Sequence, residues 1–168
     1  VSTRPIRAPE LRPCSPDRYL EGARTSGYVD HPGSPRGEEA CPFCTNLDSV
    51  FEVGSIRAIY DRFPVNPGHL LLVTRRHVAT WWDLSTSEEK DLLEAIRRAR
   101  NVLGAKWNPD AYNIGHNAGL AAGQTVPHFH VHVIPRYTGD VPDPRGGVRH
   151  VIPAKGNYLT SHPERDRT

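Results

Sequence analysis

The sequence predicts an α+β fold, an antiparallel sheet with one long helix, flanked by irregular N- and C-terminal tails. Short apolar runs separated by turn residues stand on either side of a single long amphipathic stretch. Near the end of the body, one segment alternates strictly between histidine and apolar residues, the period of a half-buried strand.

In chain order, residues 1–40 form an Arg/Pro-rich arm. Six prolines, four glycines and few large apolar side chains leave it too little surface to bury on its own, with Tyr19, Leu20 and Tyr28 as candidate anchors. The folded body is expected over 41–138. Val50–Tyr60 reads as a strand pair turning at Gly54–Ser55, and Leu70–Val73, after Pro67–Gly68, as a buried central strand. Ser85-Thr86-Ser87-Glu88 is a capping box. The helix it starts should bury Leu92, Ile96, Ala99 and Leu103, carry acids early and arginines late, and end through Gly104 and Asn108–Pro109. Tyr112–His116 and His128–Ile134 are the remaining strands. Residues 139–168 return to proline, glycine and charge as a C-terminal tail.

The net charge of +2 over 168 residues points to no nucleic-acid partner, and no apolar run is long enough to cross a membrane. Three cysteines cannot close into disulfides as a set, and the N-terminus lacks an apolar stretch, so a reducing, cytoplasmic location is expected.

His128, His130 and His132 share one strand face, because Phe129, Val131 and Val133 require a core on the other. The triplet alone fits a metal site, a catalytic site or a polar surface. Just before it, Gly119 and Gly123 permit a turn whose amides could converge on an anion, with Asn117, Gln124 and Thr125 as neutral donors. A plain glycine turn is the alternative. Cys41-Pro42-Phe43-Cys44 has the spacing that brings two sulfurs to one ion, against a redox pair or two buried thiols.

The run Ala122-Gly-Gln-Thr-Val-Pro-His-Phe-His-Val-His-Val-Ile-Pro-Arg136 resembles the signature of the histidine triad family, and Asp61–His69 is similar to its nucleoside-binding segment. The 143–149 tail resembles that of a bacterial, dinucleoside polyphosphate hydrolase-like branch. The resemblance implies the following roles. His130 is the nucleophile that forms a nucleotidyl-histidine on the α-phosphate, and His132 contacts the phosphate and helps the leaving group depart. Asn117, Gly123, Gln124 and Thr125 hold the phosphate, Asp61 accepts from the ribose hydroxyls, and His69 supports the histidines. Phe43, Ile59 and Phe63 are candidates for the base pocket, with ordinary core as the other reading. It further implies a structural zinc on Cys41, Cys44, His77 and His128, an adenylated substrate such as diadenosine tetraphosphate or an AMP phosphoramidate, and a homodimer. Rival readings are a zinc hydrolase with the three histidines as joint ligands, and a nucleotide sensor without turnover. Arg145 and Arg149 are candidate contacts for phosphates beyond the α position, against a solvated basic strip.

Overall fold

A computed structural model describes residues 41–45 and 47–158; the expected N-terminal arm, with its anchors, and the last ten residues lie outside the described residues. Five strands, β1 (Phe51–Val53), β2 (Ile56–Tyr60), β3 (Leu70–Thr74), β4 (Ala111–Gly115) and β5 (His130–Arg136), form one antiparallel sheet in the order β1-β2-β3-β5-β4. The long helix α1 spans Thr86–Trp107.

Alternation sorts the sheet into two faces. Leu72 lies opposite Ala58 and Val131, and Leu70 opposite Val133. That face is covered by α1 through Leu92, Ala95, Ala99 and Leu103, all fully buried together with Phe129. Truncating one of these leucines to alanine in such a core costs about 2–5 kcal/mol. Ile96, expected in this stripe, is only partly buried, and Ala95 takes the central place because its small side chain lets the helix approach the sheet. The other face carries Ile59, Leu71, His132 and Gly115 in one row, and Arg57, Val73 and His130 in the next.

The capping box forms as expected: Ser85 Oγ accepts from Glu88 N–H, and Glu88 accepts from Ser85 N–H at 2.8 Å. Glu88 is itself buried, with its charge met by Arg76 at 2.6 Å. Burial pushes the Glu88 carboxyl up, but the Arg76 and Ser85 hydrogen bonds outweigh it and hold it below its ordinary value. Gly104 lies inside the helix rather than ending it. Asn108, at φ 44°, terminates it in the left-handed conformation and donates its N–H to Gly104 O.

Several boundaries differ from the sequence expectation, and β4 is Ala111–Gly115 rather than Tyr112–His116. The last strand begins at His130, not His128, because His128 N–H bonds Val126 O and Phe129 N–H bonds Val78 O, outside the ladder. It runs on through Pro135, beyond the point where β3 ends, so the missing N–H leaves no ladder bond unmade. The C-terminal segment is not irregular throughout: a 3₁₀ turn at Gly147–Val151 packs beside β4, and a one-turn helix α2 (Pro153–Gly156) packs on that turn.

Candidate active site

β5 delivers the histidines, and each meets different surroundings. His130 is buried, and its Nδ1–H donates to the main-chain carbonyl of His128 at 2.7 Å. A carbonyl can only accept, so the tautomer is fixed and the Nε2 lone pair is left for chemistry. Burial, the largest influence, lowers the His130 pKa below its ordinary value and keeps the ring neutral. The edge of the Phe43 ring stands 5.2 Å from the His130 ring, centroid to centroid.

His132 belongs to a polar chain. Its Nδ1 lies 3.0 Å from His69 Nε2, and His69 Nδ1 lies 3.4 Å from Asp61 Oδ2. Asp61 Oδ2 is also 3.8 Å from His132 Nδ1, and Asp61 Oδ1 accepts from Phe63 N–H at 2.8 Å. Burial lowers the pKa of both histidines, with the Asp61 charge acting in the opposite direction. His69 Nδ1 accepts from Val65 N–H at 3.4 Å, so its Nε2–H donates to His132 Nδ1, and the His132 proton stands on Nε2 with the Asp61 charge nearby. Asp61, His69 and His132 border a pocket of about 690 Å³, with Asn117, Phe63, Val65, Ile114, Ile134, Val148 and Val151 among its other walls. That volume is in the range of small-molecule sites.

His128 turns the other way. Its Nε2–H donates to Thr74 O at 2.8 Å, which leaves Nδ1 as a lone pair facing two sulfurs, Cys41 Sγ at 3.4 Å and Cys44 Sγ at 3.6 Å. Cys44 Sγ is 3.2 Å from His77 Nδ1. All four ligand atoms lie within 4.8 Å of one another. Edges of about 3.2–3.8 Å are what a tetrahedral ion with ~2.3 Å sulfur and ~2.0 Å nitrogen bonds requires, so the donor set fits a closed zinc centre. Burial lowers the His128 pKa to about 4, keeping the ring neutral, the form that binds metal. The three triad histidines do not converge: His128 groups with the cysteines and His132 with Asp61 and His69.

Other expected residues are distributed less simply. Gln124 is buried and braces the loop, accepting from Gly119 N–H and donating to Ala79 O, each at 2.7 Å. The amides of Gly119, Ala122, Gly123 and Gln124 are likewise bonded within or across the loop. The expected convergence of these N–H groups on an anion is therefore not what the turn does, although Gly119 and Gly123 do take the positive φ of 86° that makes the turn possible. Gly123 and Thr125 are exposed on its outer side. Of the base-pocket candidates, Phe63 borders the pocket, whereas Phe43 packs on His128 and His130 and Ile59 sits across the sheet from Leu71. Neither arginine of the tail reaches the pocket: Arg145 is bidentate on Asp143, and Arg149 donates to Gly156 O.

Two residues escaped the sequence reading. Arg57 is buried on the histidine face and donates to Phe43 O at 2.7 Å and Thr45 O at 3.1 Å, holding the Cys41–Cys44 loop against β5. A lone arginine inside the apolar run Ile56–Ile59 was the available signal. His116 Nδ1–H donates to His130 O at 2.9 Å, bracing the strand at the nucleophile candidate.

The HIT domain model matches residues 46–139, more than half of the chain. The chain belongs to the HIT family. It is 44% identical over 77 residues to a bis(5'-nucleosyl)-tetraphosphatase (asymmetrical) of Schizosaccharomyces pombe, a match covering 46% of this chain and 42% of that protein. It is 37% identical over 86 residues to an AP-4-A phosphorylase of Mycobacterium tuberculosis, covering 51% and 44% respectively. The matched stretch thus spans less than half the length of either relative. Among solved structures, a Zn-bound histidine triad family protein from Mycobacterium smegmatis superimposes with a TM-score of 0.56 at 27% identity, covering 70% of this chain and 94% of that one. Among the described residues, no helix is long and apolar enough to cross a membrane.

Proposed function

We propose that this HIT protein cleaves an adenylated substrate, a dinucleoside polyphosphate or an AMP phosphoramidate, at the α-phosphorus through a nucleotidyl-histidine. The observation that carries the reading is the His130 ring, neutral and locked by the His128 carbonyl with Nε2 available. Nε2 attacks phosphorus, a P–N bond forms, and the bond from phosphorus to the leaving group breaks. His132, protonated once phosphate charge lies beside it, gives its proton to the departing atom, with His69 and Asp61 behind it. Water then gives a proton to the now neutral His132 and attacks phosphorus, the P–N bond breaks, and nucleoside monophosphate leaves with His130 and His132 restored. Asp61 and Asn117 hold the ribose and phosphate from the pocket wall, and only the family resemblance assigns Gly123 and Thr125 to the phosphate. The names of the S. pombe and M. tuberculosis relatives support the substrate class.

Cys41, Cys44, His77 and His128 would hold a structural zinc, a centre supported by their spacing and by the Zn-bound M. smegmatis relative. Zinc would cross-link the 41–45 loop to the strand that carries His130, with no open position for substrate.

The test is a panel of adenylated substrates assayed for AMP release, with acid-quenched protein examined for a covalent AMP adduct. AMP release together with an adduct absent from His130→Ala is the expected result. AMP release without dependence on His130 would overturn the mechanism, and no release from any member would overturn the activity.

A further inference from the structure

The Cys41–Cys44 loop is fastened by the protein itself, carbonyl by carbonyl. Cys44 N–H closes the turn on Cys41 O at 2.9 Å, Thr45 Oγ1–H donates to Pro42 O at 2.9 Å, and Arg57 takes Phe43 O and Thr45 O. None of these bonds uses a sulfur, so the turn does not depend on an ion between the sulfurs for its shape. A turn closed from i to i+3 sets its end Cα atoms less than about 7 Å apart, and a disulfide spans Cα atoms about 4.4–6.8 Å apart. The two Sγ atoms lie within 4.8 Å of each other, so side-chain rotation brings them together. Cys44 is exposed and Cys41 half-buried behind it.

The same loop touches the reaction centre. Phe43, between the two cysteines, stands with its ring 5.2 Å from that of His130 and 5.8 Å from that of His128. His128 Nδ1 faces both sulfurs, and the His128 carbonyl fixes the His130 tautomer. A change at the sulfurs therefore reaches His130 by two routes, one through Phe43 and one through His128. A closed zinc centre and a disulfide also exclude each other, because the ion needs two thiolates and a disulfide offers none.

We propose that Cys41 and Cys44 are a peroxide-sensitive pair whose closure into a disulfide ejects the zinc and loosens the hold on His130. The Cys44 thiolate attacks one oxygen of hydrogen peroxide: an S–O bond forms, the O–O bond breaks, and hydroxide leaves. The Cys41 thiolate then attacks the Cys44 sulfur, the S–S bond forms, and the S–O bond breaks to release a second hydroxide. Two electrons pass from the sulfurs to the peroxide, both hydroxides take protons from solvent, and the ion leaves as Zn²⁺. A dithiol reductant reverses the closure. The effect on turnover rests on the activity proposed above; the chemistry at the sulfurs does not.

The experiment treats the zinc-loaded full chain with hydrogen peroxide. Zinc is followed with a chromogenic chelator, thiols by titration, and the cysteine pairing by peptide mass. The expected result is one zinc released for two thiols lost, a Cys41–Cys44 disulfide, and a melting temperature lower by about 10 °C. AMP release, measured where the oxidised chain is folded, falls about 10-fold as the reacting ring loses its fixed position, far less than in His130→Ala. Dithiothreitol with zinc restores the metal, the melting temperature and the rate. Cys14→Ser, at a position outside the described residues, responds as wild type does. Retained zinc with unreacted thiols overturns the pair, and so does a disulfide to Cys14 or oxidation of the two sulfurs to sulfinic acids. A reduced chain that takes up no zinc overturns it as well. Unchanged AMP release from the oxidised chain overturns the link to His130. If the reduced chain releases no AMP, the proposed activity fails, and zinc release and peptide mass still decide the pair.

Discussion

His128 and His132 are four residues apart on the same chain segment and face, yet they stand in opposite chemical settings. His128 is fully buried, both ring nitrogens are committed, and its neighbours are two sulfurs and a second imidazole. His132 is partly open to a pocket, and its neighbours are His69, which donates to its Nδ1, and the Asp61 carboxylate. Between them His130 draws on both, taking its tautomer from the His128 carbonyl and lying beside His132 with ring centroids 5.2 Å apart. One period-two pattern therefore serves two purposes, and what divides them is which segment packs against each ring. The side toward Cys41 and Cys44 should govern stability, and the side toward Asp61 should govern rate.

The sharpest test of that division is at the boundary. His130→Ala should lower AMP-releasing turnover by on the order of 10⁴-fold or more, since a covalent nucleophile has no substitute in the site. AMP should still bind, because Asp61, Asn117 and the pocket are untouched. Stopped-flow or endpoint AMP release checks the first part and calorimetry the second. Activity within ten-fold of wild type would remove His130 from the role.

On the His128 side, Cys44→Ser should release bound zinc and lower the melting temperature by about 10 °C, because the binding energy of a structural ion is folding energy. Elemental analysis and a thermal melt are the measurements. Turnover at a temperature where the variant is folded should fall far less than in His130→Ala. If it falls equally while the melt is unchanged, the two sides are not divided as argued.

Much of this was legible in the sequence, for local reasons. The helix start is written in Ser85 and Glu88, which cap each other three residues apart, and the shared histidine face follows from alternation alone. What was not legible depends on distant chain crossings. Gln124 looked like a donor to an anion, but Ala79, 45 positions away, passes behind the loop and takes its amide. Arg57 looked like a strand residue until the Cys41–Cys44 loop, brought back over β2, offered it two carbonyls. The tail arginines looked like phosphate ligands because sequence shows charge, not what already neutralises it. Nor does the sequence show that bareness at Gly146 and Gly156 admits Gly156 O and the His150 ring at close range.

On the His132 side, His69→Gln should reduce kcat/KM by about 10- to 100-fold with little change in bound zinc. A hydrogen bond to a charged group contributes about 1.5–3 kcal/mol, and each 1.4 kcal/mol is ten-fold in rate. The loss should appear in kcat, because His69 acts through His132, and AMP affinity should be nearly unchanged. A rise in KM alone would make His69 a binding residue rather than one that positions His132.

The smallest effect is expected at Arg145, the residue that charge alone would rank highest in the tail. Its guanidinium holds both oxygens of Asp143 at 2.9 Å and is absent from the pocket wall. To reach a distal phosphate it would have to give up that bidentate pairing and turn out of the frame that Asn157 and His150 complete. The pair is exposed, so breaking it should cost the fold little. Arg145→Ala should therefore change kcat/KM less than about two-fold on diadenosine tetraphosphate and on an AMP phosphoramidate alike, a span of well under 1 kcal/mol in transition-state binding. Steady-state kinetics on the two substrates side by side decides it. A loss of ten-fold or more confined to the tetraphosphate would mean that the guanidinium leaves Asp143 when a long phosphate chain binds.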